Sequence, residues 1–349
     1  MQDPDLAQAL RAAILAQDFA STPDSWQYDA PLGLHPSIDL ALAVFPRTGP
    51  PRWANVLSSR EHPQGVVAEL GPEAGAVRNV QFLCDLQNER GESIVWLPGA
   101  DWSTLDFRPL SGNGPWRFVA PYPASLLKLM VAFGVALAVD RGLCHWPAAL
   151  EPMIVISDNR STDECVALMH RCGVVGLLNQ SLAERGLATL QLNDTTPAGG
   201  WRNADGAGVG HIHMTAWDSL RLLWLIDAAA PPPPWLPPGL PPLLQPASAA
   251  RLHDVLRRQQ LEETLSSGSL KHLPGWVPGL PDAPVFAHKT GNTDNYASDA
   301  GIVQQGGTHY IVSVFTSLGR RYAPVAAAAT TWRLPALGAA VHRIAEALA

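Results

Sequence analysis

Lysine is scarce in this chain of 349 residues: only three of its 24 basic residues are lysine, Lys128, Lys271 and Lys289, and the others are arginine. Charged residues make up only 16% of the chain, and the formal net charge is −7. No basic stripe or cluster is visible, which argues against nucleic acid and anionic membrane surfaces as partners.

Cysteine is also rare. The four cysteines form no CxxC pair and no metal-like spacing with histidine, and the pair His211 and His213 lacks a third ligand at a suitable spacing. We therefore expect neither a metal nor a cofactor.

Long apolar runs are missing as well, since the longest one, residues 129–139, is too short to span a bilayer. The N-terminus has neither the positive nor the apolar segment of a signal peptide. The expected compartment is the cytoplasm for the chain as given, and the periplasm or the exterior if a signal was removed. No pattern in the sequence indicates an oligomeric state.

The order of the patterned segments predicts a mixed α/β (α+β) fold, in which helices flank an antiparallel sheet built from both ends of the chain and an all-helical lobe is inserted. Strands are predicted at residues 40–45, 66–70, 79–84, 93–97, 285–289, 300–304 and 309–316. Helices are predicted at residues 1–20, 125–141, 160–172, 174–185, 215–229, 252–265 and 337–348.

These segments predict one catalytic domain with three parts. Residues 1–120 supply an N-terminal helix and strands that partly join the sheet, residues 121–280 form the helical lobe, and residues 281–349 supply the last strands and the closing helix. The helix at 125–141 is apolar on nearly every side, so we expect it to be buried at the centre of the lobe.

Two of the three lysines lie in short motifs. Arginine stays protonated in proteins, whereas a lysine can lose its proton when it is buried or lies near another cation. Ser125 and Lys128 are three residues apart at the start of the buried helix, which places both on one face. A desolvated lysine can serve as the base that a serine nucleophile requires, and the helix N-terminus favours a developing oxyanion.

Two further motifs lie downstream. Ser157-Asp158-Asn159 begins the next predicted helix, where these residue types are preferred as N-caps; Ser161 and Glu164 also have the spacing of a capping box. Lys289-Thr290-Gly291 follows an apolar strand and offers a cation and a hydroxyl for a substrate carboxylate. The missing side chain of Gly291 would let a substrate lie along the strand edge.

Taken together and in this order, the three motifs resemble the S-x-x-K, S-D-N and K-T-G set of class A β-lactamases and related penicillin-binding-protein-like serine hydrolases. The resemblance extends from about Pro121 to the C-terminus. It implies the β-lactamase/transpeptidase-like fold and an enzyme that acts on a β-lactam-like or peptide amide or ester through an acyl-serine intermediate.

The resemblance also implies a role for each residue of the first two motifs. Ser125 would be the acylated nucleophile and Lys128 its proton partner. Ser157 would move a proton between Lys128 and the leaving nitrogen, and Asn159 would bind an amide of the substrate.

The third motif is implied to hold the substrate, a small molecule or peptide with a carboxylate. Lys289 and Thr290 would bind that carboxylate beside Gly291. The backbone N–H groups of Ser125 and Asn292 would form the oxyanion hole. None of these roles requires a metal.

One residue of the family pattern is absent. Class A β-lactamases carry a glutamate in the loop after the third helix, where it activates the hydrolytic water. The equivalent loop here should lie between Leu192 and Thr215, and its only acids are Asp194 and Asp205. Because a displacement of about 1 Å can cost about a hundredfold in rate, we expect slow hydrolysis of the acyl-enzyme.

The departure leaves three interpretations. The first is a peptidase, esterase or transacylase that forms acyl-Ser125. The second is a true β-lactamase in which Asp194 or Asp205 replaces the glutamate. The third is a non-catalytic penicillin-binding or sensor module, which the intact motifs argue against. Trp201 and Trp217, which flank the same loop, are interpreted as packing residues.

Overall fold

Hydrophobic strands from both ends of the chain meet in one antiparallel sheet, as the sequence predicts. The computed structural model describes residues 2–67, 77–82, 108–111, 116–193, 195–201, 212–322 and 332–349. The predicted strand at 93–97, parts of the predicted strands at 66–70 and 79–84, and both loop acids, Asp194 and Asp205, lie outside the described residues.

The described residues contain eight α-helices and thirteen strands. The helices are α1 Pro4–Leu15, α2 Lys128–Asp140, α3 Leu150–Val155, α4 Asn159–Arg171, α5 Val175–Glu184, α6 Ala216–Trp224, α7 Pro246–Leu256 and α8 Arg333–Leu348. The strands are β1 Pro23–Asp24, β2 Ala30–Pro31, β3 Ile38–Val44, β4 Arg52–Ser58, β5 Val66–Val67, β6 Val77–Phe82, β7 Arg108–Ser111, β8 Trp116–Ala120, β9 Gln191–Leu192, β10 Ile212–His213, β11 Phe286–Asn292, β12 Ala297–Gln305 and β13 Thr308–Thr316.

The main sheet has six strands in the order β11-β12-β13-β3-β4-β5, and all neighbours are antiparallel. The first strand of the C-terminal half therefore lies at one edge, and β13 pairs with β3 from the N-terminal half. This arrangement confirms the predicted α+β fold. It also places β11, which carries the K-T-G motif, at one edge of the sheet formed by the described residues, in contact with the turn before α2.

Two hydrophobic clusters cover the faces of this sheet. One cluster lies between the sheet and the helical lobe and includes nearly all of α2, whose residues 128–138 are buried. The other packs α1 and α8 against the opposite face. Because α2 is surrounded by α3, α4, α5 and α7, its N-terminus is fixed at the boundary between the two layers. Within the described ranges, no helix combines the length and apolar character needed to cross a membrane.

The helix predicted at 252–265 is wrong in its bounds, since α7 spans Pro246–Leu256. Pro246 occupies the first turn, where its missing N–H is not needed. After the helix, the side-chain oxygen of Gln259 accepts from the amides of Gln260 and Leu261, each at 3.0 Å. These bonds satisfy the backbone outside a helix, so the apolar spacing beyond residue 256 does not extend α7.

Helix α8 depends on a close approach that only glycine permits. A Cβ added to Gly338 would collide with the carbonyl oxygen of Leu265 and lie 3.1 Å from the amide nitrogen of Leu280. Gly176 in α5 offers a matched control, because a Cβ there would meet no atom within 4 Å.

We expect Gly338→Ala to lower the free energy of unfolding by roughly 1–3 kcal/mol, because a packed backbone must move. Gly176→Ala should leave stability unchanged or raise it by up to about 1 kcal/mol through helix propensity. Calorimetric melting of the two variants checks this, and equal melting temperatures would contradict the packing argument.

Candidate active site

The nucleophile candidate lies in a short 3₁₀ turn, Ala124–Leu127, that leads directly into α2. Ala124 has a φ of 49°, a left-handed conformation that costs a residue with a side chain about 1–3 kcal/mol. The turn leaves Ser125 half-buried and places the fully buried Lys128 one helical turn further on. Ser125 therefore lies in the turn before α2, and the helix predicted at 125–141 begins only at Lys128.

The second motif turns the chain into α4. Ser157 has a φ of 58°, and Asp158 is the N-cap, since its Oδ2 accepts from the Ser161 amide at 2.7 Å. Ser161 is thus the third residue of the helix, and the capping box predicted from Ser161 and Glu164 is wrong. Ser157 therefore lies in a strained turn just before the N-cap, and Asn159 is the first residue of α4.

The side chain of Ser157 is shared by two buried lysines. Lys128 Nζ donates to Ser157 Oγ at 3.0 Å, to the Ser157 carbonyl oxygen at 2.5 Å and to Asn159 Oδ1 at 2.9 Å. Lys289 Nζ donates to Ser157 Oγ at 3.0 Å and to the Thr290 carbonyl oxygen at 2.6 Å. The fold therefore joins residues of all three motifs, from α2, α4 and β11, through a single hydroxyl group.

Electrostatic repulsion follows from this geometry. Both amine nitrogens lie 3.0 Å from the same oxygen, so they are at most about 6 Å apart. At that separation two positive charges repel by about 3 kcal/mol with an effective dielectric constant of about 20. Burial, and then the charge of Lys128, lower the pKa of Lys289 well below its usual range. The geometry therefore disfavours two protonated lysines at the same time.

Gly291 brings the edge strand against the nucleophile turn. A Cβ at Gly291 would collide with the Pro123 carbonyl oxygen and lie 2.6 Å from the Leu126 amide nitrogen. Ser298 on β12 holds the same contact, because its Oγ donates to the Pro123 carbonyl oxygen at 2.6 Å. Glycine is thus required here for close backbone approach, a reason additional to the substrate access proposed from the sequence.

The same approach brings Asn292, the last residue of β11, close to the turn that contains Ser125. Asn292 pairs with Ala297 on β12, and its side-chain oxygen is buried without a hydrogen-bond partner among the described residues. Thr290 is buried beside Lys289. The fold thus gathers the residues of the predicted substrate side, and their individual roles remain predictions.

Beneath the K-T-G motif lies a buried ionic group that the sequence did not reveal. His288 Nδ1 is 2.8 Å from Asp299 Oδ1, and His288 Nε2 is 3.2 Å from Glu262 Oε2. Burial by itself lowers the pKa of His288, but the charges and hydrogen bonds of Asp299 and Glu262 outweigh burial and raise that pKa to about 9. His288 is therefore a buried cation at neutral pH, between two carboxylates.

Trp201 and Ser298 are two further residues that sequence reasoning missed in the site. Trp201 was interpreted as packing, and it is indeed buried, but Lys128 Nζ lies 5.4 Å from its ring centroid. Trp217 packs parallel to Trp53 with ring centroids 6.5 Å apart, in agreement with its interpretation. No spacing rule could have found Trp201 or Ser298, because both contacts depend on tertiary structure.

The fold and this arrangement of serines and lysines define a serine hydrolase of the β-lactamase-like class. The model of the beta-lactamase enzyme family matches residues 145–334, more than half of the chain. The chain therefore belongs to this family, and it is an acyl-serine hydrolase of that superfamily, as the three motifs predicted. The matched range begins after Ser125 and Lys128, so those two residues are assigned by their own motif and geometry.

Three solved structures are similar to this chain, and the first of them supports the fold. A β-lactamase from Sphaerobacter thermophilus DSM 20745 is 13% identical, with 98% of each chain covered and a TM-score of 0.52. The structure of PBP-A is 23% identical over 64% of this chain and 81% of that one, with a TM-score of 0.44. A β-lactamase from Chitinophaga pinensis DSM 2588 is 19% identical over 68% and 87%, with a TM-score of 0.43. Among curated proteins, none matches the chain significantly.

The buried ionic group predicts how stability depends on pH. The pKa of His288 is raised in the folded state, so its contribution is fully present below the unfolded pKa of about 6.5 and is lost as pH rises through about 9. We expect the loss to reach roughly 3 kcal/mol, to be measured by chemical unfolding between pH 6 and pH 10.

The His288→Gln variant, which lacks this titration, should show a shallower decline over the same range. If the variant does not fold, NMR titration of the His288 imidazole in the native protein is decisive. A resonance that titrates at or below pH 6.5 would contradict the assignment.

Proposed function

We propose that Ser125 is the nucleophile and that the protein transfers an acyl group from an amide or ester to Ser125, and then to water or another acceptor. The observation that carries this proposal is the chain of hydrogen bonds from Lys128 to Ser157 to Lys289. These hydrogen bonds link a proton acceptor beside the nucleophile to a hydroxyl that can reach a leaving group. The proposed substrate is a β-lactam or a peptide-like amide that carries a carboxylate.

Acylation requires two proton transfers, and the geometry supports a route for both. Neutral Lys128 takes the proton of Ser125 Oγ as the oxygen attacks the substrate carbonyl carbon. The backbone N–H groups of Ser125 and Asn292 donate hydrogen bonds to the carbonyl oxygen as it becomes negatively charged. When the C–N bond breaks, Ser157 gives its proton to the leaving nitrogen and is reprotonated by Lys128, 3.0 Å away.

The carboxylate of the substrate has an electrostatic function in this proposal. Without an anion, Lys128 and Lys289 repel each other across Ser157 Oγ. A carboxylate placed between Lys289 and Thr290 offsets that repulsion and the cost of burying the charge. Binding therefore keeps Lys289 protonated while Lys128 remains free to act as a base, so substrate selection and proton transfer are coupled.

Two other interpretations stand beside this one. A true β-lactamase would require Asp194 or Asp205, which lie outside the described residues. A non-catalytic module has no need for two fully buried amines beside a serine turn, since burying a positive charge is costly. The compartment stays a prediction, as stated from the sequence.

The nucleophile assignment predicts covalent labelling by a fluorescent penicillin or a fluorophosphonate. Ser125→Ala should abolish the label, whereas Ser181→Ala, which removes a buried serine of α5, should retain it. Intact-mass spectrometry measures both. Label retained on folded Ser125→Ala protein would refute the assignment, and a nitrocefin burst followed by sustained turnover would favour the true β-lactamase.

The base assignment predicts that Lys128→Ala slows acylation by about 10²–10⁴-fold, the usual range for general acid–base catalysis. Lys271→Ala is the matched control, because Lys271 is exposed and pairs with Asp282 at 2.6 Å, remote from the motifs in sequence. Stopped-flow fluorescence with a fluorescent penicillin gives the rates. Equal rates in the two variants would exclude Lys128 as the base.

The proposed binding of the substrate carboxylate by Lys289 predicts that loss of this lysine slows acylation selectively for substrates that carry a carboxylate. Lys289→Ala should slow acylation by a penicillin by about 10–100-fold, since a charge-assisted hydrogen bond contributes about 1.5–3 kcal/mol. Its effect on a fluorophosphonate without a carboxylate should be much smaller. The measured quantity is the ratio of the two rates, and an unchanged ratio would contradict carboxylate recognition by Lys289.

A further inference from the structure

Trp201 lies against the lysine that serves as the proposed base. Its side chain is 6% exposed, and its ring centroid is 5.4 Å from Lys128 Nζ, within the range of a cation–π contact. On its polar side, the indole Nε1 donates to Asp163 Oδ1 at 2.7 Å. The ring therefore has an amine near its face and a carboxylate at its edge.

The segment before Trp201, residues 195–200, packs against α4. Thr195 Oγ1 is 2.9 Å from His170 Nε2, and the amide of Gly200 donates to Thr196 Oγ1 at 2.9 Å. Gly199 has a φ of 102°, and an added Cβ there would collide with the backbone of Asp163. This close contact and these bonds fix the direction in which the chain enters Trp201.

We propose that Trp201 is a positioning residue that covers the Lys128 amine and excludes water from it. The cover would make the acyl-Ser125 intermediate slow to hydrolyse, a consequence that rests on the function proposed above. The family resemblance places a water-activating glutamate in this loop, and the described part of the loop instead presents an indole ring to the lysine.

Hydrolysis shows why such a cover matters. Water must add its oxygen to the acyl carbon and give up a proton, and the bond from that carbon to Ser125 Oγ must break, so that the free serine and a carboxylic acid result. A water poised for this step needs space and polar partners. Removal of the indole would leave a cavity bordered by the Lys128 amine and the Asp163 carboxylate, two groups that can hold a water.

The scarcity of lysine makes the cover directly measurable. Lys128 is fully buried, whereas the side chain of Lys271 is 58% exposed. Brief labelling with acetic anhydride, followed by peptide mapping, should therefore modify Lys271 and spare Lys128 in the native protein. In Trp201→Ala we expect labelling of Lys128 to increase at least about tenfold relative to Lys271.

Two control variants distinguish the effect of uncovering Lys128 from the effect of a general loss of packing. Trp201→Phe keeps a ring over the amine and should keep Lys128 protected. Trp146→Ala removes a different indole, half-buried, that also packs against a cation, with its ring centroid 4.8 Å from the Arg251 guanidinium carbon, and this variant should leave Lys128 protected. Lys128 that stays protected in folded Trp201→Ala, or that reacts freely in the native protein, would overturn the proposal.

The lifetime of the acyl-enzyme tests the consequence separately. After acylation by a penicillin, the acyl adduct on Trp201→Ala should decay at least about tenfold faster than the native adduct in time-resolved mass spectra, and the adduct on Trp201→Phe should decay at the native rate. If Lys128 becomes reactive but the native protein takes no acyl group, the cover stands and the proposed function fails. If both adducts decay at one rate, the effect on hydrolysis is refuted.

Discussion

Two buried lysine amines that share one serine hydroxyl set the constraint on which the site depends. Ser157 Oγ accepts from Lys128 and Lys289 at 3.0 Å each, so two groups that repel are held within about 6 Å. Neither charge can leave its position, because each lysine is fully buried on a fixed element. The mutual repulsion of this pair is therefore a property of the fold, and in the proposed function it favours a neutral lysine that can act as the base.

This arrangement requires the start of α2, the start of α4 and the strand β11 to lie close together. Strained or closely packed residues are found where these elements contact one another. Ala124 and Ser157 adopt positive φ angles, which cost energy that the surrounding packing must offset. Gly291 lets β11 approach the nucleophile turn, and Ser298 ties the same strand pair to Pro123. The apolar surroundings of α2 give this geometry its rigidity, since a helix packed on all sides has little freedom to shift.

The sequence predicted the parts of this site that are encoded locally. Ser125 and Lys128 are three residues apart, and the structure places Ser125 in the 3₁₀ turn and Lys128 at the first position of the helix that follows it. The contact of His288 with Asp299 follows from sheet register, which the sequence does not fix, and its contact with Glu262 depends on tertiary packing. His288 pairs with Gly301, while Asp299, two residues earlier on β12, is its diagonal neighbour on the same face. The position of Trp201 depends on how a loop packs against α4. The C-terminal bound of α7 depends on the hydrogen bonds of the Gln259 side chain. Local sequence patterns could not predict the position of Trp201 or the end of α7.

The three lysines show how one residue type can be adjusted by different surroundings. Lys271 is exposed and paired with a carboxylate, so its charge is ordinary and arginine could replace it. Lys289 shares Ser157 Oγ with a second amine, and in the proposed function a substrate carboxylate would relieve their repulsion. Lys128 is bounded by Ser157 and Asn159 on one side and by the face of Trp201, so its exchange of protons depends on partners inside the fold more than on bulk water. An arginine at either buried position would keep its proton, and the coupling between carboxylate binding and base strength would be lost.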